Sequence, residues 1–245
     1  MESLLLEPTV LAAAAITCLV AAVVQGMSGF AFGMITMGVL TLILNARDAS
    51  ILVTFLAGTS AIHTLSSVRT DFKWSRLRPL ALGSLFGLPL GVAILLWTDP
   101  SWLKRVVGVA LIAISALHLS GWWQPTKAPT ISWGYGTGWL GGVLGGSLSI
   151  GGPPVVVYTM AQPWAPAQVK ATLLSFFLMG LTIKAVLLVA AGAVTLDHLA
   201  HVALMVPLVL LGTSVGIRLF NRVDRTRFHQ IVYLLLIILG AQLVW

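Results

Sequence analysis

Apolar residues run through this chain in stretches as long as a bilayer is thick, separated by short polar connectors. Taking about 20 residues as one membrane crossing, the pattern predicts ten segments: 9–25, 28–44, 49–68, 79–97, 102–120, 132–149, 151–162, 168–191, 198–217 and 228–245. The most polar connectors are 69–78 and 218–227. Two stretches stand apart, Pro8 to Ala46 and Ala128 to Val169, because neither holds a formal charge. Each is about two spans long with almost no room for a loop, and each is interrupted near its middle by small, helix-breaking residues. The first break reads Gln25-Gly-Met-Ser-Gly-Phe30 and the second Gly145-Gly-Ser-Leu-Ser-Ile-Gly-Gly-Pro-Pro154. The run 151–162 is too short for a full crossing and reads as a discontinuous or re-entrant half-helix.

The two breaks invite a repeat comparison. Setting Gly29 on Gly152 aligns Gly-Met-Ser-Gly-Phe with Ser-Ile-Gly-Gly-Pro. Further on, Thr54-Phe55 falls on Ser175-Phe176, and Gly83-x-x-x-Gly87 on Gly212-x-x-x-Gly216. A single integral membrane domain over 1–245 is expected, built of two repeats at about 1–122 and 128–245. Orientation follows from lysine and arginine in short loops. The loop 69–78 holds Arg69, Lys73, Arg76 and Arg78, whereas its repeat partner 192–197 holds none; the loop 218–227 holds Arg218, Arg222, Arg225 and Arg227, against Lys104 and Arg105 at its partner. Both arginine-rich loops lie inside only if the second repeat is inverted, which places both termini outside. The expected fold class is an all-α polytopic membrane protein with two inverted repeats of about five segments, the helices broken or re-entrant at the glycine-rich motifs. Met1 to Pro8 carries Glu2 and Glu7 but no basic residue. The first segment is therefore expected to be a retained span and not a signal peptide.

Composition narrows the function classes. The chain is 58% hydrophobic and 9% charged, with mean hydropathy +0.99, where about 25% charged is usual in a soluble domain. The net charge of +7 is dispersed between apolar runs, so it marks membrane orientation and not a nucleic-acid-binding face. The single cysteine, Cys18, excludes a disulfide framework and a Cys-x-x-Cys site. His198 and His201 have no accompanying carboxylate pattern, so no metal and no cofactor are expected.

Thirteen of the fourteen basic residues, and all acidic ones, can be placed in connectors or at segment ends. Lys184 cannot. It interrupts the apolar run from Ala171 onward, where a lysine at bilayer depth costs roughly 2.5–3.5 kcal/mol on insertion scales. No acid within a segment is available to neutralise it, so a mobile anion is the reading that accounts for it. In the register that lays Thr54 on Ser175, His63 falls on Lys184, which would put two titratable nitrogens at equivalent positions near the bilayer midplane. Two blander roles stand beside these: a core histidine donating to a backbone carbonyl, and a lysine snorkelling to the interface.

The breaks supply a second anion-binding device. A helix starting after a glycine-rich break exposes backbone N–H groups and the positive end of its dipole. Gly29 and Gly152 admit a ligand close to the backbone, Ser28, Ser147 and Ser149 add hydroxyls, and Pro153 sacrifices no hydrogen bond in a first helical turn. Gly83, Gly87, Gly91, Gly212 and Gly216 are assigned instead to tight helix packing.

The stretches Gly26-Met-Ser-Gly-Phe-Ala-Phe-Gly33 and Gly145-Gly-Ser-Leu-Ser-Ile-Gly-Gly-Pro-Pro154 resemble the TauE/SafE sulfite exporter family, over nearly the whole chain. The residues matching its motifs are Gly26, Ser28, Gly29, Ser149, Gly151, Gly152 and Pro153. The resemblance implies a bacterial inner-membrane permease of two related halves that moves sulfite, sulfoacetate or related sulfonates and carboxylates. Phe30 stands where a further glycine is common, which makes the two half-sites unequal and lets Phe30 line one wall. Relatives that import thiosulfate rely on several cysteines, and this chain has only Cys18.

The combined expectation is a non-enzymatic secondary transporter, an exporter of a small sulfur-containing anion by alternating access across the bacterial inner membrane. Its expected partners are the anion and the lipid bilayer, with no nucleic acid and a possible homodimer through glycine faces. The expected substrate-binding residues are Ser28, Gly29, Phe30, His63, Ser147, Ser149, Gly151, Gly152, Pro153 and Lys184. The rival classes are an anion channel, a scaffold or assembly subunit, and a membrane-embedded enzyme, the last disfavoured because the segments hold no acid to pair with a nucleophile.

Overall fold

The computed structural model describes residues 8–120 and 129–220, with scattered positions between 234 and 244. Among the described residues the regular structure is entirely helical. In chain order the helices are α1 (Pro8–Ser28), α2 (Phe32–Ile43), α3 (Ala46–Ser66), α4 (Trp74–Trp97), α5 (Pro100–Leu119), α6 (Ile131–Leu148), α7 (Gly152–Met160), α8 (Pro166–Ala190) and α9 (Leu196–Leu219). A 3-10 turn, Arg69–Asp71, joins α3 to α4. Thr9–Ser28, Ala46–Ser66, Trp74–Trp97, Pro166–Ala190 and Leu196–Leu219 are long and apolar enough to cross a membrane. The tenth expected segment, 228–245, falls largely outside the described residues.

Local chemistry sets the helix starts. Asn45 caps α3 by accepting from Asp48 N at 2.9 Å, Asp99 caps α5 ahead of Pro100, and Thr195 caps α9 by accepting from His198 N. Each satisfies an N–H that a first turn leaves without a partner. Several boundaries differ from the sequence reading by two to five residues, and two of them bear on the placement of basic residues. Helix α4 begins at Trp74, so Arg76 and Arg78 lie on its first turns and Pro79 lies inside it. The carbonyl that Pro79 deprives of its helical N–H partner belongs to Ser75, which is exposed. Helix α8 begins at Pro166, which places Lys170 inside the helix, 2% exposed, and not at a segment end.

Close packing of α4 on α6 and of α1 on α9 forms the frame. A Cβ at Gly83 would fall 2.1 Å from Tyr135 O, at Gly87 2.2 Å from Trp139 O, and at Gly91 2.4 Å from Val143 O. The matching residue order along both helices makes α4 and α6 parallel. Helices α1 and α9 meet in the same way, with Gly212 against Leu19 O at 2.6 Å and Gly216 against Val23 O at 2.2 Å. Without a hydrophobic drive between helices in lipid, such backbone approach supplies the dispersion contact that holds them. All five glycines assigned to packing are thus used within the chain, on α4–α6 and α1–α9.

The packing order also has a pattern. Exchanging α1, α2, α3 and α4 with α6, α7, α8 and α9 turns the α1–α9 pair into α6–α4, α1–α2 into α6–α7, α2–α3 into α7–α8, and α3–α9 into α8–α4, all of which are in contact. The α3–α8 pair maps onto itself. These two helices run antiparallel: Ser50 near the start of α3 meets Lys184 in the second half of α8, while Ala61 and Val68 cluster with Ala171 and Leu174.

Candidate functional site: two helix breaks and a buried lysine

Each charge-free stretch is a full helix followed by a half-helix. At 1.5 Å per residue, the 12 residues of α2 and the 9 of α7 reach about 18 and 14 Å, well short of an apolar core of about 30 Å. The chain turns at the first break through Gly29 (φ 83°) and Ala31 (φ 80°), and at the second through Ser149 (φ 57°). Left-handed backbone at a non-glycine residue costs roughly 1–2 kcal/mol, so Ala31 and Ser149 are held there by their surroundings. Ser28 Oγ supports the first turn, lying 2.8 Å from both Val24 O and Phe30 O. The breaks lie against each other: a Cβ at Gly33 would fall 2.0 Å from Ser149 O.

Neither half-helix has a side-chain cap at its start. The positive ends of both point toward the crossing, where an anion is stabilised by helix dipoles. They are unequal donors, because Pro153 and Pro154 remove two N–H groups from the first turn of α7 whereas Phe32, Gly33 and Met34 keep theirs.

A cavity of about 70 Å³ occupies the crossing. Phe30, Phe32, Phe176, Phe177, Leu88 and Leu181 form apolar walls, and Gly141, Gly142, Gly145, Gly151 and Gly152 let backbone approach it. Gln25, Ser149 and Lys184 are its polar side chains. Lys184 is 1% exposed. Its Nζ donates to Ser50 Oγ at 2.7 Å, Ser149 Oγ at 2.8 Å and Gly145 O at 3.1 Å. Gly145 lies in the last turn of α6, so the ammonium also sits at the negative end of that helix dipole. Among the described residues no carboxylate pairs with Lys184; Asp48, two residues before Ser50, instead faces His198 Nε2 at 3.3 Å.

Of the residues expected from sequence, Phe30, Ser149, Gly151, Gly152 and Lys184 line this cavity. The others lie elsewhere. The backbone of Gly29 faces the stem of Lys170. Ser28 is engaged in the first turn, and Ser147 Oγ donates back to Val143 O at 2.7 Å. Pro153 is buried in the first turn of α7 and does not line the cavity. His63, in the last turn of α3, joins α9 through Nε2 to Ser214 Oγ at 3.0 Å.

Three contributors escaped sequence reasoning. Ser50 sits on α3 with no local signature, and only the antiparallel packing on α8 brings it to Lys184. Gln25 lies just before the first break and lines the cavity, its Nε2 donating to Ala57 O at 3.5 Å. Lys170 donates to Gly26 O at 2.7 Å and its Nζ lies 3.9 Å from the Phe220 ring centroid. Pro166 as a first helical residue was the signal that placed Lys170 inside α8. The two lysines of α8 thus bind the carboxyl-terminal ends of the two broken helices, Lys170 that of α1 and Lys184 that of α6. No cluster of three metal-ligating side chains occurs among the described residues.

The arrangement suits the binding of a small anion: a buried lysine, two hydroxyls and two helix amino ends gathered at one cavity. Comparison with known proteins agrees. The family described as Sulfite exporter TauE/SafE matches residues 14–243. A protein of Cupriavidus necator named "Probable sulfite/organosulfonate exporter TauE" is 25% identical over 229 residues, covering 90% of this chain and 88% of the relative. No solved structure matches. The chain therefore belongs to the TauE/SafE sulfite exporter family and is a multi-pass bacterial membrane transporter, not an enzyme.

Proposed function

We propose that this protein exports a small sulfur oxyanion, sulfite or an organosulfonate, across the bacterial inner membrane by alternating access. One observation carries the reading: a fully buried lysine without a carboxylate partner among the described residues stands at a cavity faced by two uncapped helix starts. A bound anion neutralises that charge, and the helix ends and hydroxyls complete its coordination. The name of the Cupriavidus relative supports sulfite or organosulfonate as the anion.

The proposed mechanism rests on two inverted halves. In its favour, the helix contacts interchange under the swap of first and second half, and α3 is antiparallel to its counterpart α8. Counterparts related by an axis along the membrane normal would run parallel. In an inverted-repeat carrier the substrate sits where the halves meet, and rocking of one half on the other opens the site to each side in turn. The cavity here is lined by residues of α1, α2, α3 and α4 from one half and of α6, α7 and α8 from the other. Counterflow of labelled sulfite in proteoliposomes tests the function. Saturable exchange accelerated by unlabelled sulfite or ethanesulfonate inside is the expected result; single-channel currents would establish a pore, and no flux would leave a scaffold.

A further inference from the structure

As an ammonium, Lys184 has three N–H bonds, and all three have protein acceptors in Ser50, Ser149 and Gly145. None is left for a ligand. The two serine oxygens, both accepting from the lysine, are themselves 3.0 Å apart, so one hydroxyl donates to the other. Ser50 is 0% exposed. The hydroxyls of Thr36, Thr54 and Thr64 turn back to the carbonyl four residues earlier, but Ser50 does not. Its one acceptor among the described residues is Ser149, which makes Ser50 the donor. The Ser149 proton then has no acceptor among the described residues, and Ser149, unlike Ser50, lines the cavity.

We propose that Ser50 is a positioning residue that turns the Ser149 hydroxyl into the cavity, so that the anion meets a polarised O–H and not the ammonium itself. The inference rests on the anion-transport reading above and adds how the charge reaches the substrate. Successive hydrogen bonds polarise one another, so the lysine charge strengthens the Ser149 donor without a direct ion contact. A carrier gains from this arrangement. Binding must be favourable enough for entry yet weak enough for release, and a hydroxyl holds an oxyanion less tightly than a desolvated ammonium does.

The test compares wild type with S50A, S149A and the double variant. Each purified protein is titrated calorimetrically with sulfite, ethanesulfonate, acetate and nitrate, and sulfite counterflow is measured in parallel. S50A is expected to weaken binding of whichever anion the wild type takes by about tenfold. The double variant should bind no more weakly than S149A, because Ser50 acts only through Ser149. S50T restores the hydroxyl and should recover most of the affinity. A merely structural role would lower the melting temperature of S50A and leave its affinity unmoved. If S50A does not fold, S50C replaces it, since a thiol is a weak donor and the loss has the same sign. Wild-type affinity in S50A, additive losses in the double variant, or a wild type that binds none of these anions overturns the proposal. Anion binding without sulfite counterflow rejects the export reading instead, while the affinity cycle still decides the role of Ser50.

Discussion

Lys184 carries a charge that no carboxylate among the described residues offsets, at a depth where a lone cation is costly. Replacing it with methionine keeps the length of the side chain and removes the charge. K184M should lower sulfite counterflow by about 100-fold, the loss of one charge-assisted interaction worth roughly 3 kcal/mol; flux at the wild-type level would remove Lys184 from the mechanism. His63 supplies a contrast. It reaches Ser214 on α9 and does not line the cavity. H63Q, which retains an N–H donor, is expected to leave the half-saturating sulfite concentration and the pH profile of transport unchanged, and a shifted profile would return His63 to the substrate path. The lysine is legible in sequence because a charge in an apolar run needs a reason. The location of His63 is not, since repeat alignment gives only equivalence of position along a helix and says nothing about which neighbour the side chain faces.

At the scale of the helices, glycines on the packing seams do different work from glycines facing open space. A Cβ at Gly87 would overlap Trp139 O, whereas Gly136 has no neighbour within 4 Å in the same test. G87A should therefore force α4 from α6 and destabilise the protein by about 1–3 kcal/mol, as overpacking does. G136A should be neutral or stabilising by up to about 1 kcal/mol, because alanine favours helix. Thermal unfolding in detergent distinguishes them, and equal effects would reject the seam. The start of α5 responds to pH. Hydrogen bonds from the Ser101 side chain and backbone, and from Trp102 N, hold the Asp99 carboxyl below its ordinary range. A lowered folded-state value means that this cap stabilises above the unfolded carboxylate pKa and is lost as pH falls through the lower one. D99N should show a smaller decline in melting temperature over that acidic window than the wild type, which is the more stable of the two at neutral pH and approaches the variant in acid.

The whole molecule offers a test of alternating access. Cys18 is buried and lies 4.0 Å from Met205 Sδ, so a cysteine-free background is available through C18A. In that background L181C places one thiol on the cavity wall. A membrane-impermeant thiol reagent should label it from one side at a time, with the favoured side shifting when sulfite is added. Simultaneous labelling from both sides would indicate a continuous pore. The moving parts would be the parallel seams α1–α9 and α4–α6, each of which joins a helix of one half to a helix of the other.

Composition and pattern by themselves determined that the protein is helical, membrane-spanning, broken at two glycine-rich points and burdened with one lysine in an apolar run. Those properties follow from local physics: hydropathy over a bilayer's thickness, the backbone freedom of glycine, and the cost of a charge in lipid. Tertiary structure alone decided which breaks and side chains meet. It laid Gly33 on Ser149, brought Ser50 to Lys184 from the other half of the chain, and sent His63 and Ser147 to different partners. A helix in an apolar solvent displays polar groups on any face its neighbours can satisfy, so the face a serine or histidine takes is settled only when the neighbouring helix is in place.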